Sequence, residues 1–136
     1  MAIDMGRRRC GVAVTDPAQI VAGPLDTIAT AELPAFVAAY AAHEPLELIV
    51  VGEPRDMQGR PSDSTRFIEP ALARLRKAVP DIPVKRYDER FTSVLAHRAM
   101  LDGGLHRMAR RDKALVDKIS ASIILNDYLE SKRFNI

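Results

Sequence analysis

Three carboxylates stand out by type and position: Asp4 in Ala2-Ile3-Asp4-Met5-Gly6, Glu89 in Asp88-Glu89-Arg90, and Asp117 in Val116-Asp117-Lys118. Carboxylate oxygens are hard donors that suit Mg²⁺ or Mn²⁺, and gathered at one place they can hold such an ion beside a phosphate that would otherwise repel them. The chemistry this permits is phosphodiester hydrolysis, one ion activating a water for in-line attack while a second steadies the leaving oxygen. Asp4 closes a short apolar run, where a carboxylate is costly unless it is paired or holds a metal. Taken alone, its Asp-x-Gly tripeptide reads first as a brace for the turn at Arg7 to Arg9. Asp88 and Glu89 follow Val84-Lys85-Arg86-Tyr87 and so lie just past the end of a strand, the edge where open α/β sheets bind ligands. Adjacent acids point in different directions, so one can face a cleft while the other caps the next helix. Asp117 shares a helical stripe with Ala114, Ala121, Ile124 and Tyr128, which sets an acid in line with the core.

Cations cluster beside these acids. Arg7, Arg8 and Arg9 follow Asp4, Arg55 and Arg60 follow the fourth expected strand, and Arg90 follows Glu89. Arg107, Arg110, Arg111, Lys113 and Lys118 crowd the segment 106–118. Charge runs are commonly just solvated, but their concentration in loops at the expected active edge suits contacts to nucleic-acid phosphates. Aromatic residues make up only 5% of the chain, with no Trp, so recognition by backbone and shape is expected rather than stacking on bases. Other chemistries lack their residues. His43, His97 and His106 have no metal-ligand spacing, no phosphate-binding glycine loop is present, and Ser62, Ser64 and Ser93 have no nucleophile setting. Cys10 is the single cysteine, which excludes an internal disulfide and a cysteine metal cluster and suits a reducing cytoplasm.

The elements that must position these groups follow from the hydrophobic pattern. At 136 residues, 47% apolar, 28% charged and a net charge of +2, the chain is expected to form one domain over 1–136, with no membrane-spanning stretch and no signal peptide. A strand ending at Asp4 to Gly6, a second from Cys10 to Thr15 and a third from Ile20 to about Ile28, broken by Gly23-Pro24, form an antiparallel meander with the arginines in its first turn. The first strand is short for a central one, and the natural start is expected upstream of Met1. A helix from Ala31 to about His43 buries Leu33, Phe36, Val37, Tyr40 and Ala41. Leu46 to Gly52 follows as a strand buried on both faces, then a loop from Glu53 to Pro61. A second helix, from Ser62 or Asp63 to Ala78, carries Ile68, Leu72, Leu75 and Val79 inward, with a kink expected at Pro70. Ile82 to Asp88 forms the fifth strand, Thr92 caps a helix to about Leu101, and a last helix spans about Asp112 to Ser131. Three antiparallel strands followed by two parallel ones, covered by helices, is the mixed five-stranded α/β sheet of ribonuclease H-like folds.

Four segments together carry a more specific signal: 2–16, Ile49-Val50-Val51-Gly52-Glu53-Pro54-Arg55-Asp56-Met57-Gln58-Gly59, Tyr87-Asp88-Glu89-Arg90-Phe91-Thr92-Ser93, and Val116 to Leu125. The chain resembles the YqgF family, described both as Holliday junction resolvases and as pre-16S ribosomal RNA nucleases. The resemblance implies a ribonuclease H-like fold, a bacterial cytoplasmic protein and a role in processing the 5′ end of pre-16S rRNA, with junction resolution as the older proposal. It implies Asp4, Glu89 and Asp117 as metal-binding catalytic acids, with Asp88, Arg90 and Thr92 in support and Arg8 in the basic turn. Two departures stand out: the family has several more residues before its first acid, and Glu53 occupies a place where an apolar residue is common. Glu53 is therefore expected either as a solvent-facing loop residue or as a further metal ligand. The partner implied is pre-16S rRNA or branched DNA, bound by a monomer or a weak homodimer. A nucleic-acid-binding assembly factor without cleavage activity is the rival reading. Asp-x-Gly before a meander also opens sugar-kinase and actin-like ATPases, but these need a second domain for which the chain lacks the length.

Overall fold

The computed structural model describes residues 1–16, 18, 22–53, 65–88 and 113–134. Their elements are β1 (Ala2–Met5), β2 (Arg9–Thr15), β3 (Ala22–Ala29), a 3₁₀ turn (Thr30–Glu32), α1 (Leu33–His43), β4 (Ile49–Glu53), α2 (Thr65–Ala78), β5 (Val84–Asp88) and α3 (Lys113–Phe134). The five strands form one sheet in the order β3-β2-β1-β4-β5. The β1–β2 and β2–β3 pairs are antiparallel, whereas β1–β4 and β4–β5 are parallel. The expected strand directions and the mixed sheet are thus present.

Alternation along the strands sorts side chains onto two faces. Ile3, Met5, Cys10, Val12, Ile49 and Val51 pack with Leu33 and Val37 of α1 and with Ile68, Leu72 and Leu75 of α2. Ala2, Ala13 and Val50 pack on the other face with Ala121, Ile124 and Leu125 of α3. Ile49-Val50-Val51 therefore feeds both cores, which explains its unbroken apolar run. The inward stripe expected of the second helix is in place, Ile68, Leu72 and Leu75 being fully buried and Val79 nearly so. Small residues at positions 2 and 13 let α3 lie close on its face of the sheet.

Several boundaries differ from expectation for identifiable reasons. β3 is not broken at Gly23-Pro24 but passes through them, because the register slips from Val12↔Asp26 to Ala13↔Pro24 and leaves Leu25 as an extra residue. Arg9 belongs to β2, paired with Ala29, so only Arg7 and Arg8 of the triplet lie in the turn. Leu46 and Leu48 pack against the cores without joining a ladder, since β4 begins at Ile49 opposite Val84. Glu53 ends β4 opposite Asp88 rather than opening a loop. Pro34 sits in the first turn of α1, and α2 carries on past Pro70, which is exposed, as is Arg66, whose carbonyl loses its helical partner there. The loop from 54, the helix expected over Thr92 to Leu101 and the basic connector to Arg111 lie outside the described residues. No described helix is long and apolar enough to cross a membrane.

Among the described residues, one buried group in α3 has no hydrogen-bond partner. Ser122 Oγ donates to Ile119 O at 2.8 Å, but Ser120, 1% exposed, has no hydrogen-bond partner for Oγ among the described residues. A buried hydroxyl without a partner costs stability, and alanine also favours the helix. Ser120→Ala is expected to raise the unfolding free energy by about 0.5–1 kcal/mol in urea titrations; a loss instead would mean that the hydroxyl is engaged.

Candidate functional site

Asp4 is the penultimate residue of the central strand and is half-buried on the α3 face, the face of Ala2. Its ladder partners are Gly11 on β2 and Gly52 on β4, both buried. Continuing outward, Gly11 faces Thr27 of β3 and Gly52 faces Tyr87 of β5. One row across the sheet thus reads Thr27, Gly11, Asp4, Gly52, Tyr87. Neighbouring strands lie about 4.8 Å apart, so the two residues flanking Asp4 in this row bring no side chain of their own beside the carboxylate, and Thr27 and Tyr87 are the next in line. A glycine inside a strand commonly marks such a place of close approach.

The far flank is anchored to α3. Tyr87 packs edge-on to Tyr128, ring centroids 5.8 Å apart. Burial pushes the Tyr87 phenol up from its ordinary range, a hydrogen bond with Ser131 works in the opposite direction, and Asp127 and Glu130 raise it further. The phenol is therefore a neutral group at physiological pH, supplying shape and a hydrogen bond rather than charge.

β1, β4 and β5 run parallel, so their C-terminal ends, with Asp4, Glu53 and Asp88, share one edge of the sheet. Alternation divides these positions. Tyr87 stands in the Asp4 row, whereas position 88 falls with Arg86, whose guanidinium pairs with Glu69 of α2 on the opposite face. Position 53 likewise falls with Val51 rather than with Gly52. Glu89 follows directly after β5 and lies outside the described residues. The backbone of Asp117 is in the second turn of α3, one turn before Ala121, which packs in the same cluster as Ala2. The C-terminal half of α3, with Leu125, Leu129 and Lys132, lines a cleft with Met1 and Leu48 at the opposite end of the strands from Asp4. Among the described residues no three His, Cys, Asp or Glu side chains are gathered into a metal-binding group.

Past Asp4 the chain turns at once through exposed Arg7 and Arg8 to exposed Arg9. The turn is tight: a Cβ added to Gly6 would lie 2.3 Å from Arg9 O. Its carbonyls are held from the end of β3, where Thr30 N–H donates to Arg8 O at 2.9 Å and Thr30 Oγ1 donates to Gly6 O at 2.7 Å. Lys113 opens α3, while Arg55, Arg90, Arg107, Arg110 and Arg111 lie outside the described residues. Thr30 and the glycine pair are absent from the set of residues that sequence reasoning selects. The glycines carried a usable signal, being single glycines within apolar strands, whereas Thr30 carried none.

A family model described as RuvX, Holliday junction resolvase, matches residues 1–131. A relative from Phocaeicola vulgatus, provisionally named a pre-16S rRNA nuclease, is 55% identical over 98% of this chain and 96% of its own length. Relatives with the same provisional name from Bacteroides thetaiotaomicron and Parabacteroides distasonis are 52% and 47% identical, each covered over 97% of its length. Among solved structures, T. thermophilus RuvC in complex with a Holliday junction substrate matches with a TM-score of 0.61 at 20% identity, over 97% of this chain and 93% of that one. That likeness establishes the ribonuclease H-like fold. With nearly the whole chain covered at about half identity, the protein belongs to the RuvX family, the nuclease family that its four motifs resemble.

Proposed function

We propose that residues 1–136 form one nuclease domain that hydrolyses nucleic-acid phosphodiesters with a divalent metal, processing the 5′ end of pre-16S rRNA in the cytoplasm. The observation that carries this reading is the placement of Asp4: a half-buried carboxylate at the C-terminal edge of the central strand, between two glycines and directly before an exposed arginine turn. Carboxylate oxygens suit Mg²⁺ or Mn²⁺, which accept such donors while keeping several waters. Asp4, Glu89 and Asp117 are the residues that would hold the ion. When bound, the metal supplies activation of water and charge stabilisation at phosphorus. The chain's own contribution is to hold the acids in place and to grip the backbone through Arg7, Arg8, Arg9, Arg55, Arg90, Arg107, Arg110, Arg111 and Lys113. A monomer or weak homodimer suffices for trimming an RNA end, whereas paired cuts in a DNA junction would call for a two-fold dimer.

Two experiments test this reading. Labelled pre-16S rRNA and a four-way DNA junction, incubated side by side with Mg²⁺, Mn²⁺ or EDTA, should be cut only with metal, the RNA being preferred. Asp117→Asn should lower cleavage at least roughly a hundredfold while leaving binding within a few-fold. Binding by the folded wild type without metal-dependent cutting would overturn the catalytic reading and leave an assembly factor; a preference for the junction would make the enzyme a resolvase. The second experiment probes the glycine that flanks Asp4 on β4. Gly52→Val adds a side chain next to Asp4, and the Mg²⁺ concentration for half-maximal cleavage should rise roughly 10- to 100-fold; an unchanged metal titration would place the ion elsewhere.

A further inference from the structure

Thr30 is 8% exposed and sits where β3 gives way to the 3₁₀ turn, 22 residues after Arg8 in sequence. Both of its donors go to the arginine turn: the hydroxyl to Gly6 O at 2.7 Å and the backbone N–H to Arg8 O at 2.9 Å. The two carbonyls bracket Arg7, so a single residue just past the end of β3 fixes the backbone on either side of it. Behind the clamp, Cys10 Sγ lies 3.3 Å from both Thr30 Oγ1 and Met5 Sδ, in contact with the last residue of β1. The hydroxyl proton goes to Gly6 O and the single thiol proton to Met5 Sδ, so Cys10 Sγ backs the clamp mainly by close packing against Oγ1. The clamp therefore joins three pieces: the end of the strand that bears Asp4, the basic turn and the start of α1.

We propose that Thr30 is a positioning residue for nucleic-acid binding, holding Arg7 and Arg8 in a preset direction relative to Asp4 so that little order is left to impose when a phosphate backbone docks. The inference rests on reading the arginine turn as a phosphate contact. Thr30→Val keeps the shape and the backbone N–H but removes the hydroxyl, so the turn is tied at one carbonyl instead of two.

The test is binding of a fluorescent four-way DNA junction in EDTA, across a salt series, with the folded fraction of each variant checked by thermal melting. Thr30→Val should bind roughly two- to tenfold more weakly, the range set by the cost of ordering a loop on binding. Its salt dependence should match the wild type, because no charge has been lost. Thr30→Ser, which restores the donor, should bind like the wild type. The double variant Arg7→Ala/Arg8→Ala should lose affinity with a log–log salt slope shallower by roughly one to two. Wild-type affinity in Thr30→Val alongside a weakened double arginine variant overturns the inference alone. Wild-type affinity in the double variant overturns the phosphate-contact reading itself. If Thr30→Val does not fold, Gly6→Ala supplies the same test from the other side, since its Cβ meets Arg9 O and must shift the turn; wild-type binding by Gly6→Ala then overturns the proposal.

Discussion

Everything in this molecule is arranged about β1, a four-residue strand that pairs along both sides, antiparallel with β2 and parallel with β4. A strand so short has few ladder bonds of its own, and it is held by burial: Ala2 and Ile3 are fully buried and Met5 nearly so. The one polar residue it carries is Asp4, at the place where the strand leaves the core. A carboxylate cannot be set deeper without the cost of burying a charge, nor further out without losing the rigidity of a doubly paired strand. The parallel pairing with β4 brings the C-terminal ends of three strands to the same edge, and the antiparallel return to β2 puts a basic turn there.

The two faces of the sheet divide the labour. The α1/α2 face is the larger core, filled by Leu, Ile and Val in the ordinary manner of a packed interior. The α3 face uses small residues, with Ala2, Ala13 and Ala121 where larger side chains would hold the helix away. Close approach of α3 is what would allow a group on its early turns to share a site with a group on the central strand. Position 117 stands one turn from that contact, and the helix is tied down at its other end through Tyr128 and Tyr87.

Much of this was legible in the residues. The period-two and period-3.6 patterns located all five strands and the described helices, and the strand directions followed from the alternation of strand and helix after residue 30. What misled was local chemistry overruled by pairing. Gly23-Pro24 reads as a break, but β3 lies at the edge of the sheet and a bulge absorbs them. Glu53 before Pro54 reads as a loop, yet proline biases its predecessor toward extended backbone and β5 offers a partner in Asp88. Asp4 and Asp117 stand out because a carboxylate in an apolar run or stripe is anomalous, whereas Glu89 rests on its place past a strand end and on the family resemblance. Thr30 does not stand out, because threonine at the end of a strand is ordinary, and only the return of the chain past Gly6 and Arg8 gives its two donors their meaning.

The bulge in β3 has a consequence for how the molecule behaves among others of its kind. β3 is an outer strand, and a long straight outer strand is a template on which a second chain can stack. Here the rim is spoiled in its middle: Pro24 has no amide proton to offer, Leu25 is out of step with β2, and the exposed Asp26 adds a charge. An incoming strand would meet an interrupted and acidic ladder, so the irregularity that reads as a break in the sequence also guards the sheet against growing by accretion.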